Sequence, residues 1–297
     1  MSKSLRRFAT FLFVRFLVTL AFLLPRRAGR AFFGGLGGLA YQFLGPSRKV
    51  ALANLRLVYD GKYTEPQLKE MARQAFSNLG TFAYDAVNMG RYTEKDLENM
   101  VETDGMDRLE SLLSGGRGVI GLTGHIGNWE LLGGYLALRG YPINVLATRV
   151  KNKRLDSLLV GIRESAGMKV LERSSSLLGA FRCLRKGEVL GVLIDLDTSV
   201  ESVVVDFLGH PAKTPVGPVK LASGTGGAIV PMVMLMTSEG KYRIEIKEPV
   251  SIGGNGDTLQ ADVEKCSKAI EEFIRSEPTQ WLWMHKRWKS VAAGLYK

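Results

Sequence analysis

Hydrophobic positions along the chain change period several times, and each change predicts an element. Residues 8–24 (FATFLFVRFLVTLAFLL) are seventeen residues with one charge, Arg15, and predict a continuous apolar helix. Residues 31–59 continue with AFFGGLGGLAYQFLG and a basic amphipathic stretch, SRKVALANLRLVY. Thr64-Glu65-Pro66 opens a helix to about Asn78, with Thr64 as N-cap and Pro66 in the first turn. Further helical stretches follow at 81–89 and 104–114. Short apolar runs then alternate with helical patterns. Strands are predicted at 118–123, 143–148, 168–172 and 188–195, with helices at 129–140, 155–167 and 175–186 between and after them. A β-rich run covers 202–209, a helix 216–227, two strands AIVPMVMLM and YRIEIKEPV, and a long amphipathic helix 258–276. Strands alternating with helices predict an α/β domain, with a mainly parallel central sheet flanked by helices.

Charge divides the chain in a way that hydropathy alone does not. No acidic residue precedes Asp60, yet the first 59 residues hold ten basic ones: Lys3, Arg6, Arg7, Arg15, Arg26, Arg27, Arg30, Arg48, Lys49 and Arg56. The rest carries 30 basic against 29 acidic side chains. We therefore expect residues 1–59 to be a cationic, apolar membrane-anchor region and residues 60–297 to be the α/β domain. Basic residues flank both ends of 8–24, so the positive-inside rule gives no orientation. Arg15, Thr19 and Arg26 share one side of a helix. That suits either a helix lying in the interface or a short tilted span that snorkels its arginines. A signal peptide is the rival reading, but Pro25-Arg26-Arg27 follows and no small-x-small site is evident. The balanced body argues against nucleic-acid binding. Cys183 and Cys266, far apart and in no CxxC pattern, exclude a disulfide framework and fit a reducing compartment.

Chemistry concentrates in TGHIGNWE. His125 follows an apolar strand and precedes a helix, which places it at the C-terminal edge of a parallel sheet, where ligands bind. Asn128 is a candidate cap of that helix, and Glu130 falls in its first turn. By itself His-x4-Glu is a weak pattern, compatible with an incidental histidine in a capped turn.

TGHIGNWE resembles the first signature of the bacterial lipid A late acyltransferases (lauroyl/myristoyl transferases), within the glycerolipid and lysophospholipid acyltransferase superfamily. Further blocks resemble that family in order: ATRVKNKRLD with Arg149, GVLIDLD, VDFLGHPAKTPVGPVKLA, GAIVP and EPTQWLWMHKRWK. One departure is Leu196, where the family commonly has Gln between the aspartates. The resemblance implies transfer of a fatty acyl group from an acyl carrier protein thioester to a hydroxyl of a lipid A precursor or related glycolipid. It also implies a bacterial inner-membrane location, with the catalytic domain on the cytoplasmic side.

That chemistry assigns roles. His125 is the expected general base for the acceptor hydroxyl, and Glu130 the expected carboxylate that fixes its tautomer. Backbone N–H groups near Gly127 and Asn128 are candidates to meet the oxyanion, as is Arg149, whose alternative role is to bind an acceptor phosphate. Arg173 is a weaker candidate. Asp195, ending the strand EVLGVLID, is expected to hold Arg149 or Arg173. Thr214, Pro215 and Gly217 are expected to shape the pocket by turn geometry. His210, in a turn, and His285, in a cationic tail, read as surface positions. Trp281, Trp283 and Trp288 line an acyl groove, sit at the membrane interface or pack in the core. No metal-ligand spacing, GxGxxG or Walker loop occurs, so neither a metal nor a nucleotide cofactor is expected.

Overall fold

The computed structural model describes residues 3–172, 177–253 and 258–296. Its N-terminal part is helical: α1 (Lys3–Leu23), α2 (Arg26–Phe43), α3 (Gly45–Val58) and α4 (Glu65–Asn88). Pro25 separates α1 from α2, because a proline ring supports a helix start and not its interior. Gln67 Oε1 accepts the Thr64 N–H at 2.8 Å, a capping-box contact that starts α4 where expected. The two helices expected at 64–78 and 81–89 are one, running straight through Gly80. That glycine is not a breaker. A Cβ on Gly80 would collide with the Phe33 carbonyl of α2, and a Cβ on Gly37 with the Phe76 carbonyl of α4. The two glycines let the helix backbones touch.

Among the described residues no helix is long and apolar enough to cross a membrane, so the spanning alternative for residues 8–24 is not met. The charges at Arg6, Arg7 and Arg15 interrupt the apolar character of α1. This helix instead rests on the body through Val18 and Ala21, both buried, and leaves Leu12, Phe13, Phe16 and Leu23 exposed.

The body then alternates: α5 (Glu94–Met100), β1 (Val101–Asp104), α6 (Met106–Ser114), β2 (Val119–Thr123), α7 (Trp129–Leu138), β3 (Ile143–Ala147), α8 (Lys153–Ser165), β4 (Lys169–Glu172), α9 (Leu177–Arg185) and β5 (Val189–Leu193). A hairpin β6 (Ser202–Phe207) and β7 (His210–Pro215) follows, then α10 (Gly217–Thr225), β8 (Ala228–Met236), β9 (Tyr242–Ile246) and α11 (Leu259–Ser276). The start of the helix expected at 175 lies outside the described residues. Seven strands form the central sheet in the order β1-β9-β8-β2-β5-β3-β4. From β8 to β4 all pairs are parallel, and β9 runs antiparallel to β8. The mainly parallel α/β architecture is as expected. β2 is buried along its whole length, which matches its unbroken apolar run.

Three elements were not anticipated. β1 (VETD) lies at a sheet edge and three of its four residues are exposed, so it lacks an apolar signature. Thr93 and Asp96 close a capping box that starts α5 at Glu94. β7 forms because Leu208 (φ 56°) and Gly209 (φ 88°) make a tight two-residue turn. His210 is therefore the first residue of a strand and not part of the turn.

Candidate functional site

The site grows out of sheet register. Thr123 of β2 sits opposite Leu193 of β5, two adjacent parallel strands. Two residues beyond that pair on each strand stand His125 and Asp195, side by side past the C-terminal edge. The His125 ring Nδ1 lies 2.8 Å from Asp195 Oδ1. The backbone N–H of His125 donates to Asp195 Oδ2 at 2.6 Å, and Trp281 Nε1–H donates to the same oxygen at 2.8 Å. Asp195 has 0% exposure. Burial by itself would raise its pKa, but the His125 charge, the ring hydrogen bond and the two other N–H donors together lower it below the ordinary aspartate value. A carboxylate with this affinity for donors keeps the proton on Nδ1 and leaves Nε2 as the basic nitrogen. Gly124 makes the approach feasible, since a Cβ there would crowd the Asp195 carboxyl at 3.0 Å.

The expected pairing of His125 with Glu130 is thus replaced by His125 with Asp195, and Asp195 does not hold Arg149, which pairs with Glu172. Glu130 is taken by Arg163 of α8, which donates from Nε at 2.8 Å and from Nη2 at 2.6 Å. This two-point hydrogen bond raises the Arg163 pKa against the opposing effect of burial. On the first turn of α7, Glu130 points to α8 and not back through the Gly127 bend. Trp129, beside it, packs edge-on against the His125 ring at 5.0 Å between centroids.

A cleft of about 510 Å³ opens over these residues, lined by His125, Trp129, Glu130, Arg149, Arg163 and Leu196 among others. Pro215 also lines it. On the other side of the Trp129, Glu130 and Arg163 wall is a second cavity of about 190 Å³, whose remaining walls are largely apolar, including Phe82, Ala86, Met89 and Ile162. The His125 dyad therefore faces a polar-rimmed cleft with apolar space next to it, as an amphiphilic ligand requires.

Other expected site residues divide. Arg149 reaches the cleft and pairs with Glu172 at 2.9 Å, its side chain 71% exposed. Arg173 lies outside the described residues. The expected oxyanion donors are occupied: Gly127 N–H donates to the Gln280 carbonyl at 3.0 Å and Asn128 N–H to the Met234 carbonyl at 2.8 Å. Gly127 has φ 57°, and a Cβ there would strike the Met234 carbonyl, so this glycine is required by the backbone. Asn128 caps α7, accepting the Leu131 N–H at 3.1 Å, and its amide donates to Phe82 O and Tyr242 Oη, both at 3.2 Å. Its backbone N–H and both amide hydrogens are thereby committed within the protein. Thr214 is buried and accepts from Arg287 Nη2 at 2.6 Å. Gly217 is the exposed first residue of α10.

Three further residues, His210, His285 and Arg287, depart from expectation, whereas three tryptophans fall within theirs. Trp281, Trp283 and Trp288 are core residues at 2% exposure or less, which settles their alternatives in favour of packing. His210 is half-buried and its Nε2 meets the Leu57 carbonyl at 2.9 Å. His285 is half-buried with its pKa lowered, by burial first and then by the Lys289 charge. Arg287 is a residue the sequence reading missed. It is fully buried, stacks over the Phe207 ring at 4.4 Å and has its pKa pushed down by burial to about 10. Nothing in MHKRWK distinguishes it from its exposed neighbour Lys286. Among the described residues no group of three or more His, Cys, Asp and Glu is placed to hold a metal ion.

A histidine paired with a buried carboxylate at the strand ends of a parallel sheet, beside a polar-rimmed cleft with apolar space next to it, is an arrangement suited to acid–base chemistry. The chain belongs to the bacterial lipid A biosynthesis acyltransferase family, whose model matches residues 1–290. It is similar to the lipid A biosynthesis lauroyltransferase of Escherichia coli (strain K12), 25% identical over 263 residues, covering 88% of this chain and 85% of the relative. It is also similar to the phosphatidylinositol mannoside acyltransferase of Mycobacterium tuberculosis (strain ATCC 25618 / H37Rv), 29% identical over 192 residues. That match covers 62% of this chain and spans 58% of the mycobacterial protein's length. The phosphatidylinositol mannoside acyltransferase of Mycolicibacterium smegmatis is 25% identical over 227 residues, 74% of this chain and 72% of the relative.

Proposed function

We propose that the protein is an O-acyltransferase. It moves a fatty acyl chain from an acyl carrier protein thioester to a hydroxyl of a lipid A precursor. The observation that carries this reading is the 2.8 Å contact between His125 Nδ1 and the buried Asp195, with Nε2 left as the base at a cleft beside an apolar cavity. An acceptor hydroxyl has a pKa far above neutrality, so Nε2 takes its proton as the oxygen attacks the thioester carbon. Asp195 stabilises the imidazolium, which returns the proton to the departing thiolate. One C–O bond forms and one C–S bond breaks. Glu130 and Arg163 shape the wall between cleft and apolar cavity, and Arg149 at the rim is suited to a phosphate or to the developing oxyanion.

The protein works at the cytoplasmic face of the inner membrane, with residues 1–59 as its docking region and residues 60–297 as the transfer domain. In support, α1 exposes Phe13 and Phe16 at 62% each and Leu23 at 75%, next to its arginines, as an interfacial helix does. Both cysteines are free and buried, in keeping with a reducing compartment.

The test is transfer in vitro, using acyl carrier proteins loaded with several chain lengths and a tetra-acylated lipid A precursor. The wild type is expected to add one chain and His125→Ala to lose nearly all transfer while staying folded. Normal activity in purified His125→Ala would refute the mechanism. The similarity to two mycobacterial mannoside acyltransferases favours a second reading, in which the acceptor is an acylated mannoside. Lipid mass spectrometry of a deletion strain separates the two by which lipid loses a chain.

A further inference from the structure

Arg26 and Arg30 belong to the cationic head expected to dock the protein, yet both turn inward. From the first two turns of α2 they converge on Asp85 of α4, whose side chain is fully buried. Arg26 Nε is 3.5 Å from Oδ1 and Arg30 Nε is 3.3 Å from Oδ2. Two phenols also donate to this carboxylate, Tyr92 at 2.8 Å and Tyr242 at 2.6 Å. Burial and the Asp85 charge raise the pKa of both, so they remain protonated donors. Arg30 extends further, to the Gly240 carbonyl and to Met236 Sδ at the β8–β9 turn.

From Tyr242 the contacts lead into the candidate active site. Its hydroxyl spends its one proton on Asp85 and accepts from Asn128 Nδ2 at 3.2 Å. Asn128 Oδ1 accepts the Leu131 N–H, and the Asn128 carbonyl accepts the Leu132 N–H at 2.9 Å, the bonds that begin α7. The next two residues, Trp129 and Glu130, form the wall of the cleft, and Trp129 lies against His125. On its outer side α2 exposes Phe32, Leu39 and Phe43 at 44, 54 and 81%. One helix thus presents apolar side chains outward and holds the catalytic turn inward.

We propose that Arg30, Asp85 and Tyr242 are positioning residues for the cleft, so that the seating of α2 sets the orientation of the first turn of α7. Without Arg30, Asp85 loses the nearer of its two cations and keeps Arg26. Water entering the vacated space competes for the carboxylate and weakens its hold on the Tyr242 proton, and the hydroxyl turns away from Asn128. Asn128 keeps Phe82 O as an acceptor, so the cap loosens without being lost. The rate consequence rests on the acyl-transfer reading; the structural consequence does not.

The experiment uses the full chain in detergent micelles, as wild type, Arg30→Gln, Tyr242→Phe and the double variant. Amide hydrogen exchange is read over 124–132, and kcat and KM are read in the carrier-protein and lipid A precursor assay. Each single variant is expected to speed exchange at Leu131 and Leu132 and to lower kcat by about three- to tenfold, the reach of one hydrogen bond, with KM unchanged. The double variant is expected to add nothing further, because the proposed route from Arg30 to the turn runs through Tyr242. Unchanged exchange at Leu131 and Leu132, or losses that multiply in the double variant, overturns the proposal. Should Arg30→Gln not fold, Tyr242→Phe alone decides it by the exchange at these two amides. Absence of turnover in the wild type counts against the acyl-transfer reading, while the exchange result still decides the relay.

Discussion

Replacing Asp195 by Asn tests the dyad most directly, because it keeps shape and removes charge. Asp195 Oδ2 receives two donors that cannot reverse, the His125 backbone N–H at 2.6 Å and Trp281 Nε1–H at 2.8 Å. An asparagine must therefore place its carbonyl oxygen at Oδ2 and its NH2 at Oδ1. That NH2 then faces His125 Nδ1 across 2.8 Å and can only donate to it. The ring is driven to the tautomer with the proton on Nε2, the nitrogen that has to accept the substrate proton. The loss expected for a wrong tautomer is about 10⁴-fold in kcat, or about 5 kcal/mol of transition-state stabilisation. KM is expected to change little, since Asp195 is buried and outside the lining of the cleft. Steady-state transfer with purified, folded Asp195→Asn measures both. Activity within tenfold of the wild type would show that His125 does not depend on Asp195 for its tautomer.

The remaining predictions concern stability. Glu130→Gln leaves Arg163, whose side chain is 22% exposed, without its hydrogen-bonded carboxylate, and is expected to cost about 1–3 kcal/mol; equilibrium denaturation checks this, and no change would make the pair incidental. Gly80→Ala drives a Cβ into the Phe33 carbonyl and is expected to destabilise by about 1–3 kcal/mol, read as a lower melting temperature. The lowered pKa of Asp195 means that its stabilising contribution is present above the ordinary aspartate value of about 3.9 and is lost as pH falls through the lower folded value. His285 behaves with the opposite charge change: its folded pKa is lowered, so below about 6.5 the unfolded chain takes up the proton first and stability falls with pH. His285→Asn is expected to flatten the pH dependence of stability just below 6.5, and an unchanged slope there would refute this assignment.

Much of the architecture was legible because it is written locally. The period change at residue 118 marks the first buried parallel strand, and Thr64 as a cap marks the start of α4 within a residue. The misses share a cause, a residue whose role is set by something far away in sequence. Gly80 reads as a break until α2 lies against it. His210 reads as a turn residue until Leu208 and Gly209 take the positive φ values. Arg26 and Arg30 read as docking charges until Asp85, 59 and 55 residues later, is found buried between them.

Sequence alone determined that His125 stands at the end of a buried strand, with Asn128 as the cap of the helix after it, because both follow from period and capping within a dozen residues. Tertiary structure decided which carboxylate serves the histidine. Glu130 is near in the chain, but the helix it belongs to carries it to Arg163. Asp195 is 70 residues away, yet β2 and β5 are neighbours in register, and matched strand ends bring it to 2.8 Å. Adjacency of strands that are not consecutive is a property of the sheet, and no local pattern encodes it.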